Sequence, residues 1–118
     1  LDGGDQTRDP LYIDDAVQAF LAAATCASKL HGRALPIGGG SEIAVRDLAQ
    51  LVVAACNADS RIECRPDRAR PTEIWKSWCD NADAHRELGW SPKVRLTEGL
   101  AHTVQSIRAR RDAEGSLS

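Results

Sequence analysis

Arg70, Glu73, Trp75 and Trp78 lie close together in the stretch Arg70-Pro71-Thr72-Glu73-Ile74-Trp75-Lys76-Ser77-Trp78-Cys79-Asp80. Arginine presents a planar, permanently charged fork of N–H donors whose geometry matches phosphate or carboxylate. Glu73, three residues on, adds an acceptor, and the tryptophans offer flat apolar walls. Together these are the parts of a site with one anion clamp, one acceptor and one stacking surface. They are equally the parts of a surface Arg–Glu pair beside core tryptophans, an arrangement worth little energy. Spacing alone leaves both readings open. The stretch is predicted to open a short helical segment that closes on Leu88-Gly89-Trp90, with Ser91-Pro92 after it.

A chain of 118 residues has room for one core. Its net charge of −2 gives no general affinity for nucleic acid or an anionic membrane surface. Arginine outnumbers lysine, a bias toward phosphate or carboxylate contacts. No apolar run approaches the roughly 20 residues that span a bilayer, and no signal-peptide pattern opens the chain. Cys26, Cys56, Cys64 and Cys79 show no CxxC spacing, which argues against zinc. Cys26 and Cys56 fall in apolar helical patterns and read as small buried hydrophobes. The expected location is the cytoplasm, with reduced thiols. Leu1 in place of methionine is consistent with a piece of something longer.

The elements that must position these residues follow from local pattern. Asp2-Gly3-Gly4-Asp5 reads as a turn and Thr7 to Ile13 as a short extended segment. Asp14 or Asp15 is expected to cap a first helix that runs to Ser28–Leu30 and ends near Lys29, His31 and Gly32. Between Ala16 and Ala27 only Gln18 and Thr25 are polar, so this helix is apolar nearly all round and needs cover on more than one side. Ala34-Leu35-Pro36-Ile37 is predicted to be an edge strand, because Pro36 cannot donate to a ladder. Gly38-Gly39-Gly40-Ser41 reads as a turn rather than a phosphate cradle. A second helix is expected from Arg46 to Asn57, with Val45 where a capping hydroxyl is usual. Arg61-Ile62-Glu63-Cys64 alternates like an edge strand. A helix from Asn81 to Leu88 stops at Gly89, and a last one starts near Thr97 and reaches Arg108–Arg111 before a frayed tail at Gly115–Ser118. His31, His85 and His102 are too scattered for a Ser–His–Asp arrangement.

Several of these segments resemble one family. Gly4-x-Gln6-x-Arg8-Asp9-Pro10-Leu11-Tyr12-Ile13-Asp14-Asp15 is similar to the G-x-Q-x-R-D-F-x-Y-V-D-D segment of extended short-chain dehydrogenases, the NAD-dependent nucleotide-sugar epimerases and dehydratases. Ile37-Gly38-Gly39-Gly40 resembles their N-I-G-x-G loop. Asp80 through Leu88-Gly89-Trp90-x-Pro92, with Leu96-x-Glu98-Gly99-Leu100, resembles their C-terminal signature. The match runs in order over nearly the whole chain, and its combination is more specific than any piece. Pro36, Val45 and Pro10 depart from the family's frequent asparagine, capping hydroxyl and aromatic.

The resemblance implies a small α/β unit of about four helices with short strands, the substrate-binding C-terminal portion without the Rossmann half. It implies a substrate-binding portion over residues 1–113 and a disordered tail over residues 114–118. It places Arg8 and Arg70 at a nucleotide diphosphate, and Glu73 at the ribose or base, where the family often has Asp. Trp78 is a candidate wall and Trp90 a core residue. The family's GxxGxxG turn, which binds NAD, is missing. So is its Tyr-x-x-x-Lys pair, since Tyr12 is the only tyrosine and Ala16 follows four residues on. No catalytic, cofactor-binding or metal-binding residue is therefore assigned, although the full-length family enzyme is expected to use NAD.

Two function classes follow. One is the nucleotide-diphosphate-sugar-binding part of such an enzyme, inactive alone. The other is a non-enzymatic interaction or remnant domain that self-associates. Because the first helix packs on the cofactor half in the family, an uncovered flank is expected to bring a homo-oligomer or a Rossmann-type partner chain. Neither nucleic acid nor membrane is an expected partner.

Overall fold

In the computed structural model, residues 1–116 are described. The elements are β1 (Thr7–Arg8), α1 (Ile13–Thr25), α2 (Ala27–Leu30), β2 (Ile43–Ala44), α3 (Val45–Ala55), α4 (Ala82–Leu88) and α5 (Leu96–Gly115), with one 3-10 turn at Pro66–Arg68. The architecture is mixed α/β. β1 and β2 pair antiparallel in a two-stranded sheet, with Thr7 opposite Ala44 and Arg8 opposite Ile43.

The expected first helix is two helices, which makes five α-helices among the described residues. The break falls at Cys26, just after Thr25 turns its hydroxyl back onto the Leu21 carbonyl at 3.0 Å. Such back-bonding competes with the backbone ladder and bends helices. α2 ends on His31, which takes the left-handed conformation ahead of Gly32. Asp15 does not cap α1, whose first turn it occupies. Its buried carboxylate accepts the Lys93 and Val94 N–H groups at 3.1 and 3.0 Å, and its carbonyl accepts the Trp90 indole N–H at 2.9 Å. One residue of α1 thus fixes the chain between α4 and α5.

Val45 is the first residue of α3 rather than its cap, and no side chain caps this helix. The Val45 and Arg46 N–H groups donate instead to the Gln6 and Gly4 carbonyls at 2.9 and 3.0 Å. The segment leading into β1 thus meets two of the first-turn donors that a capping side chain would otherwise serve.

Neither predicted edge strand forms. Among the described residues, 34–37 pair with no neighbour. Residues 61–64 pair with no strand; Arg65, just after them, makes an isolated parallel bridge with Asp2, and the N-terminal ammonium donates to the Glu63 carbonyl at 2.7 Å. The stretch from Arg70 to Asp80 is not helical either. It turns at Pro71–Thr72, where the Glu73 N–H meets the Arg70 carbonyl at 3.0 Å, then runs extended beside β1. Ile74 and Trp75 suit extended backbone better than a helix start. Asp80 then accepts the Ala82 N–H at 3.0 Å to open α4, which closes on left-handed Gly89. α5 runs beyond Arg111 to Gly115, and residues 117 and 118 of the expected tail lie outside the described residues.

The core is small. Ala19, Ala84 and Trp90 form it, with Leu11 and Leu88 packed against them. Trp90 is a core residue, as expected, whereas Cys26 and Cys56 are only half-buried. The chain exposes 8670 Å², about 2,400 Å² more than a compact protein of 12.8 kDa. Its radius of gyration is 17.5 Å, against about 13.5 Å for a compact chain of this length. Extents of 49 × 43 × 23 Å describe a slab. Along α1, Ile13, Val17, Phe20 and Leu21 stay exposed, Phe20 by 78%. Among the described residues, no helix is long and apolar enough to cross a membrane.

Candidate functional site

β1 and the extended strand-like segment 73–79 run side by side, and this pairing builds the site. The Thr7 N–H donates to the Trp75 carbonyl at 2.8 Å, and the Ser77 N–H meets the Thr7 hydroxyl at 3.4 Å. That places Arg8 against the loop carrying Arg70 and Glu73. The Arg8 Nη2 donates to Glu73 Oε1 at 2.5 Å, and its Nη1 donates to the Thr7 and Ile74 carbonyls at 2.7 Å each. A guanidinium has five N–H donors, so two remain for a ligand. The Glu73 side chain is largely shielded at 12% exposure, against 39% for Arg8. Shielding from water strengthens such a charge-assisted bond.

Arg70 sits three residues before Glu73 across the turn, exposed, with no side-chain hydrogen bond or ion pair among the described residues. Trp78 is 57% exposed and shares a cavity of about 360 Å³ with Arg8, Asp9, Leu48, Ser77 and Cys79. The fold therefore brings Arg8, Glu73 and Trp78 together, with Arg70 on the same loop. Neither Trp75 nor Trp78 belongs to the core. Both are left on the surface beside the charged pair.

Asp9 is a structural part of the site that residue type alone does not reveal. Its Oδ2 accepts the Gly40 N–H at 2.9 Å and the Cys79 N–H at 3.0 Å, tying the glycine loop to the Trp78 segment. Asn81 adds a bond from its side-chain amide to the Gly38 carbonyl at 2.9 Å. The only sequence signal for this staple was the position of Asp9 beside Arg8 in the shared motif. The glycines serve close approach: a Cβ on Gly38 would lie 2.3 Å from the Cys79 Cβ, and one on Gly39 2.5 Å from Asp9 Oδ1. With Gly40 donating to Asp9 and Asp9 filling the space beside Gly39, this loop does not fit the pyrophosphate of a dinucleotide. Burial, then the carboxylates of Asp9 and Asp80, push the Cys79 thiol above its ordinary pKa, so at neutral pH it stays a thiol.

A second groove, of about 520 Å³, lies between Tyr12, Ile43, Val94, Leu96 and Leu100 and is mostly apolar. Gly99 of α5 abuts the Tyr12 ring there. Among the described residues, no cluster of three or more His, Cys, Asp or Glu side chains could hold a metal ion.

The GDP-mannose 4,6 dehydratase family matches residues 1–103 of this chain. A UDP-glucose 4-epimerase from Mycolicibacterium smegmatis is 37% identical over 105 residues, which cover 89% of this chain and 32% of that protein. A dTDP-glucose 4,6-dehydratase from Streptomyces griseus is 34% identical over 102 residues, covering 86% of this chain and 30% of that protein. Among solved structures, a UDP-glucose 4-epimerase from Thermotoga maritima with UDP-glucose superimposes with a TM-score of 0.76 at 32% identity. That likeness covers 91% of this chain and 33% of the other. A UDP-glucuronic acid 4-epimerase mutant from Bacillus cereus, in complex with UDP-4-deoxy-4-fluoro-glucuronic acid and NAD, gives a TM-score of 0.81 at 27% identity. There the coverage is 92% of this chain and 34% of the other. The chain thus spans about a third of the length of these relatives. It belongs to the GDP-mannose 4,6-dehydratase family of extended short-chain dehydrogenases, the NAD-dependent nucleotide-sugar epimerases and dehydratases, and corresponds to a portion of them.

Proposed function

We propose that this chain is the nucleotide-sugar-binding part of an NAD-dependent epimerase or dehydratase and that it performs no chemistry alone. The observation that carries this reading is the state of its arginines. Arg8 is held by three protein acceptors yet keeps two donors beside a cavity walled by Trp78, and Arg70 is uncommitted on the adjoining loop. One guanidinium beside an aromatic wall, with a second on the adjoining loop, suits a diphosphate joined to a flat base, since charge-assisted bonds to phosphate are the strong ones. The names of the relatives, UDP-glucose 4-epimerase and dTDP-glucose 4,6-dehydratase, agree with that ligand class. The hydride chemistry would come from NAD held outside residues 1–118, because the glycine loop here is closed by Asp9. Free thiols at all four cysteines fit a reducing compartment, the cytoplasm.

The test is equilibrium binding of UDP followed by tryptophan fluorescence. Arg70→Ala should weaken binding about tenfold or more, the effect of losing one charge-assisted contact. NAD should bind neither the parent nor the variant. Tight NAD binding to this chain would overturn the reading.

A second reading, an interaction domain that self-associates, is favoured by one observation. The α1 stripe of Ile13, Val17, Phe20 and Leu21 is bare, and the chain exposes far more surface than a compact protein of its mass. Either a second copy or a Rossmann-type chain would cover it. Sedimentation distinguishes the outcomes: a monodisperse monomer at high concentration rules out self-association. A dimer that covers Arg70 and ignores UDP would favour this second reading over the first.

A further inference from the structure

Glu73 is the residue whose role the geometry changes most. Family resemblance sets it against a ribose or base, yet its Oε1 is engaged on Arg8 and its side chain is largely shielded. The Arg8 guanidinium is held from three directions: Glu73 on Nη2, with the Thr7 and Ile74 carbonyls sharing Nη1. Without Glu73, Nη2 has no protein acceptor, and the guanidinium is held at Nη1 alone by the Thr7 and Ile74 carbonyls, which leaves its Nη2 and Nε edge freer to move. A more loosely held arginine must be immobilised on each binding event, at a cost in affinity. A fixed one has already met that cost in folding.

We infer that Glu73 is a positioning residue, which sets the Arg8 guanidinium so that its two uncommitted N–H groups serve a diphosphate oxyanion in the cavity beside Trp78. This deepens the nucleotide-diphosphate reading and rests on it. The assignment has a specific consequence. Glu73 acts on the phosphate end of a ligand, through Arg8, and on no part of the nucleoside. Its negative charge is balanced by Arg8 in the free protein, so the arrangement is a neutral pair onto which the anion docks, with Arg70 supplying the unbalanced positive charge.

The experiment compares UDP with inorganic pyrophosphate, which has the phosphates but no ribose or base. Affinities are measured by calorimetry on the 118-residue chain, on Glu73→Ala and Glu73→Gln, and on each combined with Arg8→Ala. Glu73→Ala is expected to weaken both ligands by the same factor, about tenfold. Glu73→Gln keeps an acceptor for Arg8 and should recover part of the loss for both. In the Arg8→Ala background, removal of Glu73 should change nothing further, because its effect passes through Arg8. Thermal melting accompanies each variant, and if Glu73→Ala does not fold, the Gln variant carries the comparison. Loss of UDP affinity with pyrophosphate unchanged would place Glu73 on the nucleoside and overturn the assignment. So would tighter binding of both ligands, which would make Glu73 a competing anion, or a further loss in the Arg8→Ala background. A parent chain that binds neither ligand would remove the diphosphate reading itself, and the assignment with it.

Discussion

Asp15 offers the sharpest test of how the chain holds its shape. The residue is 4% exposed, and its carboxylate takes two backbone N–H groups, those of Lys93 and Val94. Asp15→Ala leaves both without an acceptor, and an orphaned buried donor costs about 1–3 kcal/mol. Lys93 is exposed and Val94 half-buried, so water reaches part of this pair and the lower end applies. The first-turn charge adds a few tenths of a kcal/mol against the helix dipole. The expected loss is about 2–3 kcal/mol, or roughly 10 °C in Tm for a domain of this size. Asp15→Asn keeps one acceptor oxygen but aims an amide N–H at a backbone N–H, so about half of that loss is expected. Urea denaturation reads both variants through Trp90, whose indole donates to the Asp15 carbonyl and reports directly on this contact. A loss below about 0.5 kcal/mol for Asp15→Ala would mean that water replaces both bonds at no cost and that Asp15 does not hold the 93–94 segment.

Gly38→Ala would set a Cβ 2.3 Å from the Cys79 Cβ, an impossible contact, so the glycine loop must part from the Trp78 segment. Weaker UDP binding and a lower melting temperature are expected together, whereas Gly32→Ala, with nothing within 4 Å of its Cβ but a φ of +74° that strains alanine, should lower the melting temperature and leave binding intact. The raised pKa of Cys79 keeps its thiolate scarce, so at pH 8 a thiol reagent should label exposed Cys64 well before Cys79, with the gap closing as pH rises. The folded thiol holds its proton to higher pH than the unfolded one, so stability should fall as pH climbs through the ordinary thiol range and level off above the raised value. Cys79→Ser should abolish that dependence.

Much of the fold was legible because its signals are local. Gly89 ends α4 in the left-handed conformation its sequence context implies, and the apolar α1 pattern is left without cover along Ile13, Val17, Phe20 and Leu21. What misled were segments whose structure depends on a neighbour. Residues 34–37 carry strand composition but have nothing to pair with. The stretch from Arg70 to Asp80 looks like a helix start, yet it is drawn straight by hydrogen bonds to Thr7, nearly 70 residues away in sequence. The same long-range pairing joins Arg8 to Glu73, a union that spacing within either segment does not reveal. Asp15 shows the converse. A carboxylate in a first helical turn reads as a cap, and only tertiary structure shows that it serves a different part of the chain.

The most direct measurement is an amide and indole NMR titration of the chain with UDP. Shifts are expected at Arg8, Asp9 and residues 70–79, with the Trp78 indole among the largest, and Arg70→Ala should suppress them. No shifts at all, or shifts confined to the apolar groove of Tyr12, Leu96 and Leu100, would contradict the account.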